Sequence, residues 1–334
     1  MTSKLIFLTN PIHPLVHAEM ETFARVSVAK SIRDEDLIAG AREASIVVVR
    51  TPIPAALYDQ APNLLGVIRH GAGVDMIPIP EATARGIAVA NAPGTNAVTV
   101  AEFAVGQMLS LAHRSAAANQ RMRASGWASA RGLADDGIEL AGKRVGLVGV
   151  GAIGQAVAKM CHFGFGMSVC GYRPSGRASL DFIEVTALEQ VLAQADFVVL
   201  ACPLNESTKG LISRDLLGKM KASAYLINVA RGAVVDQQGL VEALTEKRLA
   251  GAALDVFTQQ PLPIESPLYG MENVLLSPHM AGVTDDSLRA MGSSVARQAR
   301  QILGGQLPDH LVNHEAASQV QQQLDRQLQR LNNS

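Results

Sequence analysis

Three polar side chains carry the chemistry this sequence offers, and each follows a short apolar run. Arg231 comes just after the YLIN run in YLINVARG, Asp255 closes AGAALD, and His279 follows the VLL of VLLSPH. A guanidinium can place two forked, charge-assisted hydrogen bonds on a carboxylate and polarise the carbonyl beside it. An imidazole can deliver the proton that a new alkoxide needs. An aspartate can accept a hydrogen bond from a nicotinamide carboxamide. Together these types suit hydride transfer to a 2-oxo acid. Singly, a loop arginine is a surface charge and a histidine before a glycine-containing turn is structural. Three such side chains at the ends of three apolar runs make a constellation. The other histidines (His13, His17, His70, His113, His162, His310 and His314) earn no catalytic role. His13 is a partial exception, because its loop after the first apolar run could face a cleft.

The elements that must position these residues begin with RVGLVGVGAIGQAVA, Arg144 to Ala158. It reads as a strand, a glycine turn and the start of a helix, and a second strand through Tyr172 closes a βαβ unit. Gly149, Gly151 and Gly154 fit the G-x-G-x-x-G pattern of a dinucleotide site, with Ala152 and Ile153 opening the helix. The first glycine allows the tight turn, the second lets backbone approach a pyrophosphate, and the third lets helix and strand pack closely. The N–H groups at the helix start then face the phosphates. Further strands are expected near 197–201, 225–228, 252–255 and 274–277. In an open α/β sheet ligands bind beyond the carboxyl ends of the strands, where Arg231, Asp255 and His279 fall.

Before this series the chain also alternates strand and helix patterns: KLIFLT, RVSVA, SIVVVR, LLGVIRHG and IAVAN are the apolar runs. That alternation implies a second parallel sheet with helices on its faces. One long helix is expected from Ala97 through HRSAAANQRM, followed by a polar, glycine-containing segment from Ala124 to Gly142. Two uses are open to Trp127 in that segment: packing within its own chain, or anchoring a subunit contact. A helical pattern from Thr284 to Leu303 returns to the first domain. The organisation expected is therefore a discontinuous domain, residues 1–97 plus 285–334, around a domain of residues 98–284, with a small ligand in the cleft between them. The glutamine-rich tail carries Val320, Leu324, Leu328 and Leu331 on one helical stripe, and a tail this short either frays or packs on its own subunit.

The 334 residues are 48% hydrophobic and 18% charged, with a net charge of -1, which is the balance of an ordinary globular protein. Near-neutral charge gives no footprint for nucleic acid or an anionic membrane. The apolar run Leu5 to Leu8 is too short for a signal-peptide core or a membrane span. Cys161, Cys170 and Cys202 lack metal-ligand spacing, so no metal site is expected. They read as reduced thiols in a cytoplasmic protein.

Seven segments, RHGAGVDMIPI, ANAPGTNAVTVAEF, VGLVGVGAIGQAVA, ACPLNESTKGLI, LINVARGAVVD, AGAALDVF and LLSPHMAG, resemble the D-2-hydroxyacid dehydrogenase family, which includes glyoxylate/hydroxypyruvate reductases and phosphoglycerate dehydrogenases. The resemblance runs from about Val47 to Asn313. It implies a Rossmann dinucleotide-binding domain inserted into a smaller flavodoxin-like α/β substrate domain, and a homodimer. It implies that Arg231 binds substrate, that His279 is the acid/base and that Asp255 meets the nicotinamide amide. Backbone N–H groups around Ala72 and Gly73 would hold the substrate carboxylate, with Asn96 on the same wall. Cys202, Pro203 and Thr208 would line the adenine side of the cofactor pocket.

The chain departs from the family pattern at two places. NAD-preferring members carry an acidic residue where Arg173 stands. Arginine cannot accept from a ribose 2′-hydroxyl but can pair with a 2′-phosphate, so NADP(H) is expected over NAD(H), with Ser175 and Arg177 near enough in sequence to help. The family's glutamate partner of the histidine is replaced by Gln260, which can orient His279 but brings no charge. Without that carboxylate the acid limb of 2-oxo acid reduction is expected at lower pH. A Gln–His pair also resembles the formate dehydrogenase branch, although that branch has an acidic residue at the Arg173 position. A sensor that keeps the nucleotide and has lost turnover is the alternative outside enzymes. Retention of Arg231, His279, the Ala72–Gly73 loop and Asp255 argues against it.

Overall fold

The computed structural model describes residues 4–176 and 180–333. The chain forms two compact units, Met1–Asn96 with Val283–Ser334, and Ala97–Gly282. Among the described residues no helix is long and apolar enough to cross a membrane.

The first unit is built on five parallel strands, β1 Leu5–Leu8, β2 Arg25–Val28, β3 Ile46–Val49, β4 Gly66–Arg69 and β5 Ala88–Ala90. Their order, β2-β1-β3-β4-β5, is the flavodoxin-like one. The inner strands β1 and β3 are apolar along their whole length, and β4 is so up to Arg69, because both faces are covered. Ile6, Leu8, Ile46, Val48 and Ile68 pack under the helices Pro14–Glu21, Asp285–Leu303 and Ala317–Asn333. Phe7, Val47, Val49 and Val67 face the opposite layer with Leu37, Leu57 and Tyr58. The helix Asp285–Leu303 starts at a capping box, Thr284 with Ser287, and turns Met291, Val295 and Ile302 inward. The tail belongs to the same unit: Val320 and Leu324 are buried on this core and Leu328 packs against it. The side chain of Leu331 lies outside the described residues.

The second unit carries seven parallel strands: β6 Arg144–Val148, β7 Ser168–Tyr172, β8 Ile183–Val185, β9 Phe197–Leu200, β10 Tyr225–Asn228, β11 Gly251–Leu254 and β12 Val274–Leu276. The order is β12-β11-β10-β9-β6-β7-β8. From β8 to β11 this is the 3-2-1-4-5-6 order of dinucleotide-binding sheets, extended by β12. The order reverses beside β6, so the glycine turn sits at the switch point where such sheets bind ligands.

Two features differ from the sequence expectation. The long helix from Ala97 is two helices, Ala97–Ala112 and Ser115–Arg131, broken at Arg114, whose φ is 54°. The second runs into the polar, glycine-containing segment that begins at Ala124 and kinks at Gly126, where φ is 77°. It buries none of its residues, so it has no apolar stripe from which to be read. Trp127 is 71% exposed, so it takes no part in the core of its own chain. Strand β8, with three residues, is too short for an alternating signal.

Candidate active site

In the second unit the glycine turn is shaped by close approach. A Cβ on Gly149 would fall 2.7 Å from the Cys202 nitrogen, and one on Gly154 would fall 2.2 Å from the Gly149 carbonyl oxygen. A side chain at either position would push the helix Ala152–Lys159 off the end of β6. Gly151, by contrast, has no atom within 4 Å of a Cβ built on it, so open space lies beside the helix start. That start has no side-chain cap, so no capping side chain takes up its first N–H groups. Room, donors and dipole therefore fit the pyrophosphate of a dinucleotide. The Cys202-Pro203 segment abuts the turn. The Thr208 hydroxyl donates to the Pro203 carbonyl at 2.7 Å and accepts from the Asn205 N–H at 2.8 Å, which closes that loop on itself. Arg173 is exposed at the end of β7 and begins a turn in which its carbonyl accepts from Gly176 at 2.9 Å. Arg177 lies outside the described residues.

Arg231, Asp255 and His279 stand just past the ends of β10, β11 and β12, three neighbouring strands. The Arg231 guanidinium donates to the Ala230 carbonyl at 2.8 Å, and its own carbonyl accepts from the Asn228 amide at 3.1 Å. The next residue, Gly232, lies so close to the Phe257 backbone that a Cβ would fall 1.9 Å from its carbonyl carbon. This contact seats the arginine segment against the loop that leads to Gln260.

Gln260 and His279 meet directly. The Gln260 Oε1 lies 3.0 Å from the His279 Nδ1, while its Nε2 donates to the Phe257 carbonyl at 3.3 Å. With the NH2 engaged by a carbonyl, the amide oxygen must face the ring, so Nδ1 carries a proton and donates it. In that tautomer any proton exchange with a ligand would run through Nε2. An apolar cavity of about 540 Å³ borders this pair, walled by Phe257, Leu262, Tyr269 and Leu276.

Asp255 is buried, and its carboxylate is engaged within the protein. Oδ1 accepts from the Ser277 hydroxyl at 2.6 Å and the Met280 N–H at 2.8 Å, and Oδ2 accepts from the Ala281 N–H at 2.9 Å. Sequence reasoning assigned this aspartate to the nicotinamide and gave Ser277 no part. A hydroxyl two residues before the histidine was the only available signal. The three cysteines are free, and burial raises their thiols: Cys161 to about 12, Cys170 to about 11, and Cys202 in the same direction. None is poised as a nucleophile.

In the first unit the loop after β4 holds Ala72 and Gly73. Arg69 braces it, with Nε donating to the Gly73 carbonyl at 3.0 Å and a terminal nitrogen donating to the Val49 and His70 carbonyls. The Asn91 amide donates to the Ala72 carbonyl at 2.7 Å. Asn96 lies in the turn that ends this unit and is half-buried. His70, in the same loop, is buried with its Nε2 unpartnered. Burial, with Arg50 and Arg69 nearby, pushes it down to about 4, so it is neutral near pH 7. His13 is committed to structure: Nδ1 accepts from the Leu15 N–H at 3.3 Å as a helix cap, and Nε2 donates to Asp285 at 3.2 Å.

Residues 105–281 match the family model described as "D-isomer specific 2-hydroxyacid dehydrogenase, NAD binding domain". A glyoxylate reductase from Thermofilum pendens is 40% identical over 297 residues, covering 87% of this chain and 85% of that protein. A D-3-phosphoglycerate dehydrogenase from Methanocaldococcus jannaschii is 35% identical over 314 residues; these make up 92% of this chain but only 59% of the longer relative. Among solved structures, the NADPH-dependent glyoxylate/hydroxypyruvate reductase from Sinorhizobium meliloti, in complex with NADP and malonate, superposes with a TM-score of 0.80 at 29% identity. That match covers 89% of this chain and 93% of the other.

Proposed function

Because the chain belongs to the D-isomer-specific 2-hydroxyacid dehydrogenase family, we propose that it is an NADP(H)-preferring reductase of small 2-oxo acids, of the glyoxylate and hydroxypyruvate kind. The observation that carries this reading is the row of Arg231, Asp255 and the Gln260–His279 pair past neighbouring strand ends, on the same sheet as the glycine turn. When bound, the reduced nicotinamide supplies the hydride. Gly149, Gly151, Ala152, Ile153 and Gly154 would hold its pyrophosphate, and Cys202, Pro203 and Thr208 would flank the adenine side. Arg231 grips the substrate carboxylate and draws electron density from the adjacent carbonyl. The His279 Nε2–H donates to the carbonyl oxygen and gives up its proton as the alkoxide forms. Gln260 keeps the ring in the orientation that makes this possible. The backbone around Ala72 and Gly73, with Asn96, is assigned to the substrate carboxylate as well.

The preference for NADP(H) rests on Arg173, a cation at the end of β7 where a 2′-phosphate is read. The test is kcat/KM for NADPH and NADH with glyoxylate, hydroxypyruvate and larger 2-oxo acids. We expect turnover with an NADPH advantage of about tenfold or more, the worth of one charge-assisted pair. An NADH advantage contradicts the cofactor reading. NADPH binding without turnover across the panel favours a sensor, and oxidation of formate favours the formate dehydrogenase branch.

A homodimer and a cytoplasmic location belong to the same proposal. Trp127 and Met122 are exposed beside a cavity of about 330 Å³ on a helix that buries none of its residues, which suits a surface covered by a second copy. Sedimentation of Trp127→Glu should give a monomer; a dimer unchanged by the substitution contradicts this assignment. The three free thiols suit a reducing compartment, and cell fractionation checks it.

A further inference from the structure

We infer that the buried Asp255 carboxylate, together with the Ser277 hydroxyl, is a positioning device that clamps the turn carrying His279 and so fixes where the imidazole points. The inference rests on His279 being the acid/base, as proposed above. Asp255 is the positioning residue and His279 the one that touches substrate.

His279 has a φ of 55°. The left-handed region is unfavourable for a residue with a side chain, so surrounding contacts must hold it there. Asp255 supplies those contacts. Its main-chain oxygen accepts from the His279 N–H at 2.8 Å. Its carboxylate accepts from the Ser277 hydroxyl and from the Met280 and Ala281 N–H groups. Within 277–281 Pro278 alone gives Asp255 nothing, since proline has no N–H. The Ser277 N–H pairs instead with the Leu254 carbonyl at 3.0 Å, extending the β11–β12 pairing up to the turn.

The chemistry of the clamp is specific to a carboxylate. An ionised carboxylate is acceptor-only, with room for about four hydrogen bonds on two oxygens. Asparagine would offer one oxygen and would turn an NH2 toward backbone N–H groups that are themselves donors. Backbone and ring are thus held independently: Asp255 fixes the left-handed turn, and Gln260 fixes the rotation of the imidazole through Nδ1. Both are needed for Nε2 to have a single position. Asp255 is only 2% exposed, and both of its oxygens accept hydrogen bonds from the turn.

The test uses full-length Asp255→Asn, Ser277→Ala and His279→Ala. Hydroxypyruvate reduction gives kcat, fluorescence titration gives the dissociation constant of NADPH, and the ligand-free proteins are examined by NMR for the His279 Nδ1 proton bonded to Gln260. Misplacing a reacting group by about 1 Å costs about a hundredfold in rate, so Asp255→Asn should lose about that much kcat and Ser277→Ala about tenfold. NADPH affinity should stay within about twofold of wild type, because its phosphate contacts are untouched. The Nδ1 proton signal should broaden or vanish in Asp255→Asn before any ligand is added. Should Asp255→Asn fail to fold, Ser277→Ala decides through the same measurements. Wild-type kcat in Ser277→Ala and Asp255→Asn, beside an inactive His279→Ala, overturns the clamp alone. NADPH affinity that falls by the same factor as kcat also overturns it, in favour of a direct nicotinamide contact. Full activity in His279→Ala overturns the reading beneath it.

Discussion

The residue that most separates this chain from the family pattern is Gln260. Its oxygen accepts from His279 as a carboxylate would, so the orientation of the ring survives. The charge does not. A carboxylate favours the protonated imidazole, and reduction consumes that protonated form, so a charged partner keeps the reaction going to higher pH. Gln260→Glu should therefore move the alkaline fall of kcat/KM upward by about one pH unit, with little change in NADPH affinity. Profiles that superimpose would remove the idea. At this scale the sequence shows types and places better than partners. Arg231, Asp255 and His279 could be found because each is a polar side chain just past an apolar run. The engagement of Asp255 by Ser277, Met280 and Ala281 could not, because a left-handed turn on a histidine leaves no mark in composition. His13 shows the same limit from the other side: a histidine in a loop after a strand turned out to cap its own helix and pair with Asp285, distant in sequence.

Among the elements, the βαβ unit around the glycine turn was the most legible, since strand, turn and helix each have their own signal. Its three glycines do different work, and substitution separates them. Gly154→Ala places a methyl where only 2.2 Å separates it from the Gly149 oxygen, so we expect a loss of about 1–3 kcal/mol in stability together with weaker nucleotide binding. Gly151→Ala meets nothing within 4 Å and should fold normally, yet it should weaken NADPH binding because the methyl projects into the space meant for the pyrophosphate. Unfolding midpoints and NADPH titrations of the two variants check this. A destabilised Gly151→Ala, or a Gly154→Ala as stable as wild type, would contradict it. What stayed hidden was the pair of helices Ala97–Ala112 and Ser115–Arg131. The first has buried Val100, Ala104 and Met108 to announce it, whereas the second has no buried face. Where a helix buries none of its residues in its own chain, the apolar period by which sequence reveals helices is missing.

Over the whole molecule, two parallel sheets of different strand order make two units. The flavodoxin-like unit holds the braced Ala72–Gly73 loop, and the dinucleotide-ordered unit holds the glycine turn and the Arg231–His279 row. The return of Asp285–Leu303 to the first sheet, read from its helical pattern, makes the first unit discontinuous in sequence. The most direct test of the whole account follows a labelled hydrogen. Full-length protein is given NADPH deuterated at the transferable position, together with hydroxypyruvate, and the product is analysed for label and handedness. The account predicts D-glycerate carrying deuterium at C2, with the rate lowered about a hundredfold or more in Arg231→Ala, the loss of a charged group aimed at the reacting carbonyl. Unlabelled product, no product, or an Arg231→Ala variant that turns over like wild type would contradict it.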